Sequence, residues 1–147
     1  MQLTKNLHLH ELVQSPTAIR LKIDKTPSEA VIRNLKRLCE KVLQPTRDHF
    51  NRPVVITSGY RSPALNKAVG GVPNSQHVTG EAADFYIPGV DNYTVAFRIK
   101  ENLVFDQLIL EYYRGGNTGR VHVSYSSTNR KQVLTINSYG RYNGPVR

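Results

Sequence analysis

The segment Ala82-Ala83-Asp84-Phe85-Tyr86-Ile87 sets an ionisable carboxylate in the middle of an apolar run. The run reads as a strand stopped by Pro88-Gly89. A carboxylate inside such a strand is costly unless it is paired or bound to a metal. Whatever fold this chain adopts must therefore bring partners to Asp84. The segment just before it offers one. His77 lies in the polar loop Val72 to Gly80, seven residues ahead of Asp84. Gly80 lets the chain turn sharply, and Ala82, on the face of Asp84, leaves room beside it. The loop can then fold back so that both side chains reach one point.

A second histidine stands in Arg120-Val121-His122-Val123-Ser124-Tyr125, an alternating strand in which His122 shares a face with Arg120 and Ser124. Two neutral imidazoles and one carboxylate make a catalytic zinc set with a fourth position left for water. His77, Asp84 and His122 are thus the expected ligands of a Zn2+ ion. Such a site needs a general base. The runs Gln107 to Tyr113 and Arg120 to Tyr125 read as a hairpin around a glycine-rich loop, Arg114 to Gly119. A symmetric loop sets Glu111 directly opposite His122, with Cβ atoms about 5 Å apart, within reach of a proton on water at the metal. Arg61, just past a strand end, can grip a substrate carboxylate through two parallel hydrogen bonds.

The surrounding elements are marked by local signals. Ser15-Pro16-Thr17-Ala18 reads as a capped helix start, and the first 25 residues as short helical turns that dock onto the rest. Thr26-Pro27-Ser28-Glu29 reads as a capping box with Thr26 as N-cap; Val31, Leu35, Leu38 and Val42 then form one apolar face, which Pro45 should end or kink. Val54 to Thr57 reads as a buried strand, Ser62-Pro63 opens a short helix, Asp91 caps a helix to about Asn102, and Lys131 to Asn137 is a last strand before a loose basic tail, 138–147. Helices come first and strands cluster late. The expected fold is a single α+β domain over 1–147, with an antiparallel sheet of about four strands, helices on one side, and the zinc site in a cleft on the sheet. At 147 residues and 39% hydrophobic content, one core is affordable and two are not.

Ser58-Gly59-Tyr60-Arg61-Ser62-Pro63, then Ser75-x-His77-x-x-Gly80-x-Ala82-x-Asp84, then Val121-His122-Val123-Ser124 resemble the zinc D-Ala-D-Ala carboxypeptidase family. That family also includes phage endolysins that cut L-alanyl-D-glutamate or related stem-peptide bonds. The resemblance runs from about Thr26 to Tyr125. It implies zinc ligands at His77, Asp84 and His122, and substrate-binding positions at Arg61 and Ser75. Two or three residues before the last zinc histidine, where many members carry the catalytic acid or a second histidine, this chain has Arg120 and Gly119. The expected base is therefore Glu111. The expected activity is hydrolysis of peptide bonds in peptidoglycan, by an endolysin or a D-alanyl-D-alanine carboxypeptidase, with a non-catalytic zinc-binding wall module as the alternative.

The formal net charge of +9 favours anionic partners, here the cell wall, while the scattered basic residues form no nucleic-acid tract. No stretch approaches the roughly 20 apolar residues of a membrane span. Met1 to Glu11 shows no export signal, so a monomer made in the cytoplasm and released to the wall is expected. The single cysteine, Cys39, reads as a core residue, and His8, His10 and His49 as structural.

Overall fold

The structure, a computed structural model, describes residues 1–146. It opens on a two-stranded hairpin, β1 (Gln2–Thr4) and β2 (Leu7–His8), which the sequence signals did not mark. Two short helices come next, α1 (Leu9–Val13) and α2 (Pro16–Leu21), the second capped by Ser15 Oγ accepting from the Ala18 N–H. α3 (Glu29–Leu38) starts two residues later than the capping-box reading placed it. Its N-cap is Ser28, whose Oγ accepts from the Val31 N–H, because the Thr26 N–H is already taken by Asp24 Oδ1 in a preceding turn.

Pro45 neither ends the helical stretch nor sharply breaks it. A π-helical turn, Cys39–Leu43, is inserted ahead of the proline, and α4 (Gln44–Phe50) carries Pro45 in its first turn. The wider i→i−5 bonding, with the Gln44 N–H on Cys39 O, accommodates a residue that has no N–H and would otherwise press on the preceding carbonyl. Cys39 is fully buried there, and burial pushes its thiol up to about 12.

The remaining elements are β3 (Val55–Ser58), α5 (Pro63–Ala68), α6 (Gln76–Thr79), β4 (Ala82–Tyr86), α7 (Asn92–Asn102), β5 (Gln107–Glu111), β6 (Arg120–Ser124), β7 (Gln132–Asn137) and β8 (Gly140–Asn143). Six strands form one sheet in the order β3-β4-β6-β5-β7-β8. The α+β class holds, but the sheet is larger than about four strands and is mixed, since β5 and β7 run parallel. The parallel pair arises because β6 and β7 are two arms of a wide turn with β5 laid between them. Bonds from the Lys131 and Gln132 N–H groups to Phe105 O and Asp106 O hold that turn across the start of β5. β8 lies within the segment expected to be a loose tail; Arg147 falls outside the described residues.

Alternation along the central strands divides the sheet. Ala83, Phe85, Leu108, Leu110, Val121 and Val123 join Leu35, Leu38, Val95 and Ile99 in the core. Burying each large apolar side chain contributes about 2 kcal/mol, so this face carries the stability and frees the other for charged groups. That other face holds Asp84, His122, Glu111 and Arg120. No helix among the described residues is long and apolar enough to cross a membrane.

Candidate metal centre and cleft

α6 is a single turn, too short to hold itself, and its neighbours fix it. Ser75 Oγ caps it by accepting the His77 N–H at 3.2 Å, the Arg61 N–H donates to His77 O at 3.0 Å, and Gly80 closes it at φ 78°. The His77 ring is then oriented from behind. Its Nδ1 lies 2.8 Å from the Gly59 carbonyl oxygen, an acceptor, so Nδ1 carries the proton and Nε2 presents a lone pair. Gly59 must be glycine: an added Cβ would overlap the backbone of Leu12, which crosses over it and accepts the Tyr60 N–H at 2.7 Å.

Asp84 on β4 stands opposite His122 on β6. His122 Nδ1 lies 2.9 Å from Asp84 Oδ1, and His77 Nε2 lies 3.5 Å from Asp84 Oδ2. The two imidazoles meet edge to face, 5.2 Å between centroids. All three residues are buried, and one ligand atom from each lies within 4.8 Å of the others. Burial opposes ionisation of Asp84, but hydrogen bonds and charge from His122 and His77 outweigh it and hold the carboxyl well below its usual range. An ionised oxygen and two imidazole nitrogens, one with its tautomer fixed by a backbone carbonyl, fit a zinc ion. The three residues singled out in the sequence converge here in space.

A cleft of about 480 Å³ reaches Asp84. Arg61 lines it, with Nη2 at 4.0 Å from Asp84 Oδ2, and is braced by Nε on Ser58 Oγ and Nη1 on Asn66 Oδ1. Burial draws the Arg61 guanidinium down in pKa, and the charge of Asp84 opposes that. Ser75 is not part of the cleft lining; its hydroxyl caps α6.

The expected register of Glu111 is corrected. Glu111 pairs with Arg120, and His122 faces Ile109. Tyr112 adopts φ 53° and gives its N–H to Ile136 O on β7, which takes it out of the β5–β6 ladder and ends the hairpin earlier than a symmetric loop would. Glu111 stays on the metal face, one diagonal step from His122. Its Oε2 accepts from Arg120 Nε at 3.1 Å and Nη2 at 2.9 Å.

Three features of the site were not assigned from the sequence. Arg120 lines the cleft with Nε at 3.9 Å from Asp84 Oδ2; its alternation with His122 was the available signal. Gln14 to Thr17 form one wall of the cleft, which a helix-cap signal gave no reason to expect. Asp106, just ahead of β5, is buried under four N–H donors.

No curated protein matches the chain. The model of the peptidase M15 family matches residues 5–124, a span that contains the metal-ligand group, both cleft arginines and the N-terminal wall. With so much of its length matched, the chain belongs to the peptidase M15 family, the zinc D-Ala-D-Ala carboxypeptidase-type metallopeptidases.

Proposed function

We propose that the protein is a zinc peptidase that hydrolyses peptide bonds in the stem or cross-link peptides of peptidoglycan, as a phage endolysin does. The observation that carries this reading is the convergence of His77 and His122 on Asp84, which lines a cleft bordered by the guanidiniums of Arg61 and Arg120. These three residues would hold the ion. When bound, zinc supplies Lewis acidity that polarises a carbonyl and acidifies water. Arg61, braced on Ser58 and Asn66, binds a substrate carboxylate. Ser75, which the resemblance implied as a substrate-binding position, lies outside the cleft lining and acts here by capping α6 and so placing His77. Glu111 takes the proton from the attacking water and returns it to the leaving amine. Both contacts from Arg120 fall on Oε2, so the Oε1 side serves that transfer. A net charge of +9 favours an anionic wall as the surface on which the enzyme works after release from the cytoplasm.

Mass spectrometry of purified peptidoglycan incubated with the protein tests this reading. New internal peptide ends are expected, lost on chelation and restored by zinc. Release of terminal D-alanine alone would make it a carboxypeptidase instead. A protein that binds zinc and wall but leaves every bond intact would be a binding module.

A further inference from the structure

Asp106 precedes β5, outside the metal centre, yet it touches both histidine-bearing elements. Its backbone N–H donates to Ser124 O at 2.8 Å, on the strand that carries His122. Its carboxylate Oδ2 accepts from Gln76 Nε2 at 2.8 Å, on the residue next to His77. The same carboxylate accepts from the Arg130 N–H at 3.0 Å, from Nε at 2.8 Å and from Nη2 at 2.9 Å. A carboxylate saturated by four donors on a strand start cannot swing, so its bond to Gln76 is a rigid strut. α6 needs one. A lone turn contributes almost no stability of its own; the Ser75 cap holds the His77 N–H and the Arg61 N–H holds His77 O, while the Gln76 side chain is tied down by Asp106.

We propose that Asp106 is a positioning residue for the metal centre, fixing the spacing of His77 and His122 through Gln76. This rests on His77, Asp84 and His122 being the metal ligands. The Arg130 pair keeps the carboxylate aimed, the Ser124 bond references it to β6, and Gln76 passes that reference to α6. Arg130 therefore serves the centre from an exposed loop that lines no part of the cleft.

The test is zinc affinity, measured by competition with a chromophoric chelator, together with melting of the metal-free protein. Gln76→Ala removes the strut and leaves the Asp106–Arg130 pair and the β6–β7 turn in place. It is expected to weaken zinc binding about tenfold, the lower end for losing an outer-shell partner. Its metal-free melting temperature should stay within about 4 °C of the parent, as for one ordinary hydrogen bond. Asp106→Asn should weaken zinc to a similar extent. The double variant should lose no more than the worse single within about twofold, because both act through one bond. Zinc affinity in Gln76→Ala within about twofold of the parent overturns the inference. So does a fully additive double variant. A parent that takes up no metal overturns the ligand assignment and this inference with it, whereas a parent that binds normally beside an unchanged Gln76→Ala overturns the inference alone.

Discussion

Beside the candidate metal centre, Glu111, Arg120, Asp84 and Arg61 stand in a chain of alternating charge. Arg120 lies between the two carboxylates and also over the Tyr112 ring, 5.7 Å from its centroid. It occupies the place where, by the family resemblance, a carboxylate before the last ligand would serve as base, which is why Glu111 is the base we propose. Glu111→Gln keeps the shape and the neutral hydrogen bonding but removes the basicity. It should lower kcat by about 10²–10⁴-fold while zinc content is retained. Unchanged turnover would exclude Glu111 as the base. The meeting of His77, Asp84 and His122 was legible in the sequence because these residues are unusual where they stand: an acid amid Ala-Ala and Phe-Tyr, and a histidine in an alternating strand. The relation of Glu111 to His122 was legible only in part. Face is set by a period of two, but register depends on where the hairpin ends, and that was decided by the Tyr112 N–H turning to β7.

Three of the helix caps were readable because they are local, whereas that of α3 fell at Ser28 and not at Thr26. Ser15, Ser62 and Asp91 each accept an N–H two or three residues ahead, and each stood beside its proline or apolar run. Two local features escaped, the β1–β2 hairpin and the π turn ahead of Pro45, and the parallel seating of β7 against β5 was settled at long range. The contact between α1 and β3 belongs to this second class. Leu12 passes so close over Gly59 that no side chain fits between them. Gly59→Ala should force the two backbones apart at a cost of about 1–3 kcal/mol, visible as a lower denaturation midpoint. It should also weaken zinc binding, because the displaced carbonyl is the one that orients His77. Lower stability with undiminished zinc affinity would separate Gly59 from the metal centre.

Acid should weaken the whole molecule through Asp106. Its hydrogen bonds to Arg130 hold its carboxyl at about 2, below the ordinary 3.8, against a smaller opposing effect of burial. A group whose pKa is depressed by folding binds more protons in the unfolded chain, so its contribution is complete above about pH 4 and is lost as the pH falls towards 2. Asp106→Asn cannot titrate. Its melting temperature should therefore fall less steeply than the parent's between about pH 4 and 2, starting from a lower value. Parallel slopes for the two proteins over that window would contradict the assignment.

The close approach of Leu12 to Gly59 also bears on when the chain can capture a metal. Asp84 and His122 are 38 residues apart, and the carbonyl that aims His77 sits where the chain's first helix packs past the end of β3, with the Tyr60 N–H on Leu12 O. A half-folded chain can offer a metal one or two stray donors, but not the complete triangle with its tautomer fixed. Tight capture should thus trail the formation of the sheet during refolding, so that the moment a zinc indicator in the refolding mixture is stripped of its ion marks the end of folding, not its beginning.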